Sequence, residues 1–279
     1  MPELPEVETV RRTIERVLVG KKIVEAEFVP DDIVMKGLSP SFMQDVVVGR
    51  TVTGAGRKGK YFWIEFDEKP WLFAHLGMAG WVREVGAATI RLREHGEAPL
   101  DDETGRPRFL KMMLTSEDGR KIAMTDGRRL SRIWVNDSPN HGAIAKLGPD
   151  CYLELPSAEA IHTKLAKKNA PIKAVLLDQA VFAGVGNWIA DEVLYVARIR
   201  PSRLASSLSA SECTKLHDAL KFVVDYAVEH GADKDSFPDT WLFHSRWGGK
   251  KGDETIGGEK IIREQIGGRT TAWVPTLQK

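Results

Sequence analysis

The fold class is indicated by residues 1–29, MPELPEVETVRRTIERVLVGKKIVEAEFV, in which the hydrophobic period changes at Gly20. Before this glycine, apolar residues recur at the spacing of an amphipathic helix, namely Val7, Val10, Ile14 and Val17. A proline near the start of this stretch, Pro5, and the glycine at its end are ordinary helix boundary signals. After Gly20 apolar and polar residues alternate, so the opening predicts one helix followed by β structure.

The alternation continues to about residue 140, and the strand-like segments are KKIVEAEFV, YFWIEF, WLFAHLGMAGWV, FLKMMLT and RKIAMTD. Helical periods then dominate in AEAIHTKLAKK, PIKAVLLDQ, NWIADEVLYVARI and SASECTKLHDALKFVVDYAVEHG, before short strand-like pieces return near the end. The pattern predicts an α+β chain of two domains. A β-sandwich or barrel with a leading helix occupies residues 1–140, a linker 141–151, and a helical domain 152–279.

The composition is that of an ordinary globular protein, with 279 residues of which 42% are hydrophobic and 28% charged. The net charge of +1 indicates no partner by itself. No apolar run approaches the length of a membrane span and no signal pattern opens the chain, so we expect an intracellular protein without a membrane partner. Cys151 and Cys213 are the only cysteines, which excludes a disulfide scaffold and a four-cysteine zinc site.

The amino terminus carries candidate chemistry. Methionine is normally removed before a small residue, which would expose the secondary amine of Pro2. A free α-amine has a pKa of roughly 8, so on the order of a tenth of it is neutral and nucleophilic at pH 7. Glu3 is close enough in sequence to serve as a general acid or base. The alternative is structural, because Pro2 and Pro5 could simply start a helix.

The opening MPELPEVETVRR resembles the start of formamidopyrimidine-DNA glycosylases, the Fpg/Nei family of base-excision repair enzymes. Further family motifs follow in order along the whole chain: RKGKYFWIEF, HLGMAG, TDGRRL, LGPD, AKKNAPIKAVLLDQ, GVGNWIADEVLY and IRPSRLASSLS. The likeness is to the plant-type branch with a zincless finger. It implies a β-sandwich domain, then a helical domain with a helix–two-turn–helix that ends in a β-hairpin finger over about residues 240–279.

The resemblance implies catalytic roles at the terminus. Pro2 corresponds to the nucleophile that forms a Schiff base with the deoxyribose C1′, and Glu3 to the acid that protonates the opening sugar. Lys60, at a strand start, matches the lysine that holds a phosphate near the lesion. Glu6 and Glu192 match carboxylates near the amine, although a helix N-terminus explains Glu6 almost as well.

The C-terminal tail implies a finger without metal. No cysteine follows Cys213, so a zinc ribbon is excluded and we expect no zinc and no other cofactor. The segment GGRTTAWVPTLQ still carries Arg269 between two strand-like pieces. By resemblance this arginine grips phosphates at the lesion and promotes the second elimination, whereas the structural alternative is an arginine in an ordinary hairpin.

An enzyme that excises a stacked base has to extrude it and fill the gap. Met78 in HLGMAG, with Arg128 and Leu130 in TDGRRL, matches the family positions that fill this void. A methionine beside glycines is more often core filler. Leu130 departs from the phenylalanine of many relatives, which puts the preference for the opposite base in doubt.

The segment GVGN before a helix predicts a phosphate site. Gly186 permits close backbone approach, Asn187 can cap, and a helix N-terminus favours an anion. The nearby lysines Lys168 and Lys173 strengthen this interpretation, although they could instead form a solvated helix face.

The most consistent function is that of a bifunctional DNA glycosylase and AP lyase that acts as a monomer on damaged double-stranded DNA. We expect it in the nucleus or the bacterial cytoplasm. A short segment after the last helix, HGADKDSFPDTW, favours formamidopyrimidines and hydantoins over 8-oxoguanine. One alternative is a non-catalytic helix–two-turn–helix binder of nucleic acid. A small tautomerase with a terminal proline fits the length poorly.

Overall fold

The described part of the chain, residues 2–87, 101–248 and 254–279 of a computed structural model, divides into two units. The N-terminal unit comprises residues 1–146 and 231–235, and the C-terminal unit residues 147–230 and 236–279. The division after residue 146 falls inside the segment predicted as a linker. Residues 231–235 differ from the predicted organisation, because they belong to the N-terminal unit although the sequence pattern places them in the helical domain.

The described residues of the N-terminal unit form two four-stranded antiparallel sheets and two α-helices. Its elements are α1 (Leu4–Leu18), β1 (Ile23–Phe28), α2 (Pro40–Val47), β2 (Val52–Lys58), β3 (Tyr61–Phe66), β4 (Trp71–His75), β5 (Trp81–Glu84), β6 (Leu110–Ser116), β7 (Lys121–Thr125) and β8 (Arg132–Asn136). One sheet has the order β1-β6-β7-β5 and the other β2-β3-β4-β8. Alternate residues of both sheets enter one hydrophobic core, which makes the unit a β-sandwich.

Helix α1 owes its position to its amphipathic pattern. Val7, Ile14 and Val17 are fully or almost fully buried in the sandwich core, as the period predicts. The helix also carries a buried carboxylate, Glu8, that receives a hydrogen bond from Arg57 at 2.9 Å. This long-range pair fixes α1 against strand β2.

In its described residues the C-terminal unit contains four α-helices and two antiparallel pairs of short strands. Its elements are α3 (Ala158–Leu165), α4 (Ile172–Leu177), α5 (Asn187–Val196), α6 (Ala210–Glu229), β9 (Thr255–Ile256), β10 (Glu259–Lys260), β11 (Ile262–Ile266) and β12 (Arg269–Trp273). Helix α6 begins with a reciprocal capping box between Ser209 and Glu212. Helix α5 packs against α4, α6 and β12.

The predicted fold class is confirmed: an α+β chain with an N-terminal β-sandwich, a leading helix and a helical domain that ends in a hairpin finger. The finger is the antiparallel pair β11–β12, which turns at Gly267 and Gly268. Both glycines have positive φ angles, of 62° and 75°, a backbone region that favours glycine. Among the described residues no helix is both long and apolar enough to span a bilayer.

Candidate active site and DNA-binding groups

The amino terminus is enclosed by its own acidic residues. Pro2 is buried just before helix α1. Glu3 and Glu6 are also buried, with exposures of only 1% and 7%. The backbone N–H of Glu3 donates to the Glu6 carboxylate at 3.0 Å, and the two residues form a capping box. The sequence thus folds a potential amine and two carboxylates into one buried cluster.

Lys60 lies on the turn between β2 and β3 and is mostly buried. The same buried arginine that pairs with Glu8 holds this turn, because Arg57 donates to the carbonyl of Gly59 at 3.1 Å. Burial alone would raise the pKa of Glu8, but hydrogen bonds from Arg11 and Arg57 lower it, so the carboxylate stays charged. Through Arg57, helix α1 and the Lys60 turn are therefore tied together within the N-terminal unit.

A cavity of about 130 Å³ opens beside the terminus within the N-terminal unit. Pro2 and Glu6 form part of its wall, and further lining comes from Leu76, Gly80, Trp81, Gly231 and Ala232. The residues named after Glu6 are apolar or small, which suits a flat ring, and Arg16, Arg83 and Glu84 add charged side chains to the lining. Gly231 and Ala232 come from the short segment after α6, which belongs to this unit.

The predicted void-filling residues lie on two loops that are in contact. A Cβ on Gly77 would come within 2.2 Å of the carbonyl oxygen of Leu130, so only glycine allows the loops to approach this closely. Met78 is 41% exposed and Leu130 37% exposed, and Arg128 is exposed as well. Large apolar side chains that stay in solvent on adjoining loops are suited to insertion into another surface.

The sequence interpretation missed the residue that shapes the second loop. Asp126 is 1% exposed, and its carboxylate accepts hydrogen bonds from the N–H groups of Arg128, Leu130 and Ser131 at 2.7 to 2.9 Å. An aspartate before a glycine is a turn signal, and it marks this loop in TDGRRL. The three bonds hold the backbone from which Arg128 and Leu130 project.

Arg269 is exposed at the first position of β12, directly after the glycine turn of the finger. The neighbouring carbonyl of Thr270 accepts a hydrogen bond from the side-chain amide of Asn187 at 3.0 Å. The first residue of helix α5 is thereby attached to the tip of the hairpin. Within the C-terminal unit the structure brings the predicted phosphate residues Asn187 and Arg269 to the same place.

The predicted capping role of Asn187 is wrong. Gly186 occupies the N-cap position of α5, and no side chain caps this helix. Asn187 is the first helical residue and bonds to the finger instead, because its side chain projects from inside the first turn. Lys168 lies on the surface, 3.5 Å from Asp178, with 38% of its side chain exposed.

The prediction that Lys173 contacts a phosphate is also wrong, because its side chain is completely buried. The ammonium group bonds to the carboxylate of Asp191 and to the carbonyl oxygen of Asn187, the latter at 3.0 Å. A lysine in PIKAVLL looks solvated when read alone, and its buried partner lies 18 residues away. Lys173 supports the N-terminus of α5 from inside.

Asp191 connects this lysine to the finger. Its second oxygen receives a hydrogen bond from Arg246 at 2.6 Å and another from the backbone N–H of Ala272 in β12 at 3.3 Å. Asp191, Lys173 and Arg246 are all nearly or fully buried. One carboxylate therefore links α4, α5, the segment after the last helix, and the hairpin.

Glu192 is enclosed within the C-terminal unit. Its carboxyl group accepts hydrogen bonds from the N–H groups of Leu242 and Phe243 at 3.1 and 2.7 Å. Burial, opposed in part by these bonds, raises the pKa of Glu192 to about 8. Its predicted role beside the terminal amine stays a prediction.

No cluster of three or more His, Cys, Asp or Glu side chains suited to a metal ion occurs in residues 2–87, 101–248 and 254–279. The finger is held by the buried carboxylate of Asp191, which accepts the N–H of Ala272, and by the backbone pairing of β11 with β12.

The sequence and the fold were compared with those of known proteins. Residues 1–133 match the formamidopyrimidine-DNA glycosylase N-terminal domain, and residues 147–239 match the H2TH domain of the same enzymes. The chain is 43% identical over its full length to the formamidopyrimidine-DNA glycosylase of Arabidopsis thaliana, of which it covers 71%. It is 32% identical, again over its full length, to that of Pelotomaculum thermopropionicum, of which it covers 99%.

Solved structures agree. The Lactococcus lactis Fpg bound non-covalently to DNA with an AP site has a TM-score of 0.79 and 26% identity, with 99% of each chain covered. A MutM structure in complex with DNA containing carbocyclic 8-oxo-G has a TM-score of 0.80 and 28% identity, with both chains covered completely. This chain belongs to the formamidopyrimidine-DNA glycosylase family.

Proposed function

We propose that this protein is a DNA glycosylase of base-excision repair that also acts as an AP lyase, with the amine of Pro2 as its nucleophile. The observation that carries the proposal is the buried cluster of Pro2, Glu3 and Glu6 at the cavity beside helix α1. Membership of the glycosylase family supports the same activity. DNA is the expected partner, because the related Lactococcus lactis protein was solved in complex with AP-site DNA.

The reaction begins after removal of the initiator methionine. The neutral amine of Pro2 attacks C1′ of the damaged nucleoside, a C–N bond forms, and the glycosidic bond breaks with the electron pair leaving on the base. The proton lost from the amine nitrogen neutralises the departing base. Glu3 gives a proton to the ring oxygen O4′ as the C1′–O4′ bond breaks, which leaves an iminium ion. Helix α1 begins at Leu4, so its positive end faces the amine and favours the neutral form.

The iminium then withdraws electrons for two eliminations. Loss of a proton from C2′ expels the 3′ phosphate in the β-elimination, and loss of a further proton expels the 5′ phosphate in the δ-elimination. Lys60 is proposed to hold a phosphate near the lesion. Arg269 is proposed to grip phosphates at the lesion and to promote the second elimination, and both residues have cationic side chains that suit phosphate binding. Met78, Arg128 and Leu130 would fill the space that the extruded nucleotide leaves.

The test is covalent trapping with borohydride on a duplex that contains one abasic site. The wild type is expected to give an adduct that maps to Pro2 by mass spectrometry, after the mature terminus has been verified. Pro2→Gly replaces the secondary amine by a primary amine and should give much less adduct than the wild type. Glu3→Gln should slow base excision by about 10²- to 10⁴-fold, the usual contribution of a general acid.

The alternative function is a non-catalytic binder of nucleic acid. It would show tight binding of the same duplex without any wild-type adduct, despite a correctly processed terminus. This outcome would overturn the proposed chemistry and leave the family fold intact. Binding and trapping on one substrate therefore separate the two functions.

For the lesion, we propose ring-opened formamidopyrimidines and hydantoins in preference to 8-oxoguanine. The support is the short segment from residue 230 to 241, of which Gly231 and Ala232 line the cavity beside Pro2. A short segment offers little cover over a flipped base. Comparable kcat/KM values for formamidopyrimidine and 8-oxoguanine duplexes would contradict this preference.

A further inference from the structure

The void-filling loop, residues 126–131, contains an arginine that is tied to a distant part of the N-terminal unit. Arg129 lies between Arg128 and Leu130 and donates to both carboxylate oxygens of Asp31, from Nε at 2.9 Å and from a terminal nitrogen at 3.0 Å. Such a two-point pair fixes the direction of the guanidinium as well as its distance. Asp31 lies 98 residues earlier in the chain, so the pair joins two loops that are remote in sequence.

Asp31 is held in place by groups other than Arg129. Its side chain is only 4% exposed, and one oxygen accepts the N–H groups of Ile33 and Val34 at 3.2 and 3.1 Å. The ammonium of Lys111 donates to the other oxygen at 2.9 Å. Burial alone would raise the pKa of Asp31, but the hydrogen bonds from Arg129 and Lys111 lower it. Asp31 is therefore a fixed and charged partner for the loop.

The segment around Asp31 is bonded to the strands of the sandwich. The carbonyl of Val34, a fully buried core residue, accepts the N–H of Ile133 in β8 at 2.7 Å. The N–H of Val29 donates to the carbonyl of Lys111 in β6 at 3.0 Å. Both ends of the segment from residue 29 to residue 34 are thus attached to a sheet. A bond to Asp31 is consequently a bond to a well-packed part of the unit.

The backbone at Arg129 is unusual for a residue with a Cβ. Its φ angle is 57°, in the left-handed region that favours glycine. Asp126 accepts the N–H groups on either side, those of Arg128 and Leu130, at 2.9 and 2.7 Å. Arg129 is therefore held from two directions, through its neighbours by Asp126 and through its own side chain by Asp31. A glycine would adopt this conformation more readily but would have no side chain with which to reach Asp31.

The two adjacent arginines of the loop differ in their partners. Arg128 is exposed and, in the part of the chain that the structure describes, forms no ion pair with a carboxylate. Arg129 is also exposed, but its charge is compensated by Asp31. One arginine is thus available to enter a duplex, whereas the other attaches the loop to the protein.

We propose that Arg129 is a positioning residue for extrusion of the damaged nucleotide, because its ion pair with Asp31 sets the loop so that Arg128 and Leu130 enter the duplex together. The proposal rests on the proposed function, since the void that these side chains fill is created by that reaction. A loop that is set in advance does not have to be ordered when DNA binds. The ion pair therefore lowers the free-energy cost of inserting the two side chains.

Single-turnover excision of a formamidopyrimidine, at saturating enzyme, tests this role on two duplexes. In one duplex the lesion lies opposite cytosine, and in the other it lies opposite a tetrahydrofuran analogue of the abasic site. Arg129→Gln should slow excision about tenfold in the paired duplex, the order of one hydrogen bond between charged groups. In the unpaired duplex the loss should stay below about threefold, because an unpaired base is extruded more easily.

A variant of the buried partner separates positioning from direct contact with DNA. Asp31→Asn keeps an oxygen for the N–H groups of Ile33 and Val34 but loses the charge that holds Arg129. It should slow excision in the paired duplex as much as Arg129→Gln does, and the double variant should be no slower than either single variant. Arg129→Lys keeps a cation and should recover part of the rate.

The matched control is Arg106→Gln. Arg106 has 48% of its side chain exposed, against 54% for Arg129, and pairs with a carboxylate of the same unit, that of Glu27. Its loss should leave both excision rates unchanged. Thermal melting checks that every variant is folded.

Two results would overturn the positioning role. Equal slowing of both duplexes by Arg129→Gln would show that the residue does not act in extrusion. Slowing by Arg129→Gln but not by Asp31→Asn would show that Arg129 acts on the DNA itself, and the salt slope of log K for binding would then fall by about 0.9 in Arg129→Gln. Failure of the proposed function would overturn the inference as well, but it would look different, because the wild type would then excise from neither duplex and give no borohydride adduct.

Discussion

Both units place exposed side chains next to a buried aspartate, but they neutralise that aspartate differently. In the N-terminal unit Asp126 accepts three backbone N–H groups of the void-filling loop. In the C-terminal unit Asp191 accepts Lys173, Arg246 and one backbone N–H of the finger. Asp126 thus holds its loop through backbone dipoles, to which Arg129 adds an ion pair with Asp31 at 2.9 Å, whereas Asp191 holds the finger mainly through full charges.

The difference follows from how far apart the connected segments are in sequence. The N–H groups that Asp126 receives come from the next five residues, so a local turn brings them to it at small conformational expense. Asp191 has partners up to 81 residues away, and none of them is delivered by local structure. A buried charge that is paired on several sides fixes such distant segments strongly, and it leaves large unpaired charges when one member is removed.

The largest effect is therefore expected for Asp191→Ala. Lys173 and Arg246 would stay buried without their counter-charge, which should lower the free energy of unfolding by about 3–5 kcal/mol. Urea unfolding followed by tryptophan fluorescence measures this loss. The matched control is Asp225→Ala, whose partner Lys221 is an exposed lysine at 2.6 Å, and the change there should stay below about 1 kcal/mol. Equal losses in the two variants would remove the distinction drawn above.

Asp126→Ala tests the other half of the comparison and should have a smaller effect. Removal of a carboxylate that accepts backbone N–H groups is expected to lower the free energy of unfolding by about 2 kcal/mol. The exposed loop can also rearrange and hydrate some of the released groups. Asp126→Asn keeps an oxygen that can accept, so its loss should be about half as large. A loss for Asp126→Ala as great as for Asp191→Ala would mean that local dipoles hold a loop as firmly as buried ions.

Glu192 should give the C-terminal unit a distinctive dependence on pH. Its pKa is raised to about 8 in the folded state, against an ordinary value of 4.5. Between these values the folded protein keeps a proton that the unfolded chain releases. The stabilisation from this proton is complete below pH 4.5 and is lost as the pH rises towards 8, by at most about 1.4 kcal/mol per unit.

The measurement is the free energy of unfolding between pH 5 and pH 8 for the wild type and for Glu192→Gln. The amide cannot ionise, so the difference between the two proteins should shrink or change sign steadily as the pH rises. Parallel curves would show that Glu192 is already ionised throughout this range in the folded protein.

The comparison also marks what the sequence could predict. Period and punctuation sufficed for helix α1 and for segments that contain six of the eight sandwich strands, because these depend on neighbouring residues, but they missed α2, β2 and β8. The hairpin around Gly267 and Gly268 was predicted from the family resemblance and two strand-like pieces. The burial of Lys173 could not be predicted in this way, because a single lysine beside apolar residues gives no sign of a partner on another helix. A signal did exist in NWIADEVLY, where Asp191 and Glu192 interrupt an otherwise apolar helix. Such a pair is more consistent with burial and pairing than with a solvated face.

The candidate site follows the same division. Pro2, Glu3 and Lys60 were identified through contiguous motifs. The sequence signals a turn at Asp126, but the contacts by which Arg57 and Asp126 hold their surroundings are visible only in three dimensions. Asn187 lies at a loop-to-helix boundary as predicted, but the predicted role as the N-cap of α5 is wrong. The cap position depends on backbone angles at Gly186, and these are not readable from residue type.

The smallest effect on stability is expected for Leu130→Phe, on the loop that Asp126 holds. Leu130 is 37% exposed, so the substitution should change the free energy of unfolding by less than about 0.5 kcal/mol. A phenyl ring stacks on a base better than an isobutyl group does, which should add on the order of 1 kcal/mol with some opposite bases and little with others. The measurement is single-turnover excision against each of the four opposite bases.

The matched control for this prediction is Leu153→Phe, the same change at a leucine that is 61% exposed in the C-terminal unit. It should alter neither stability nor the ranking of opposite bases. If Leu130→Phe also leaves the ranking unchanged, Leu130 does not enter the duplex, and the firmly held loop serves only to carry Arg128. If the ranking spreads by several-fold, the loop that Asp126 holds reads the opposite strand, and its rigidity serves recognition of the opposite base.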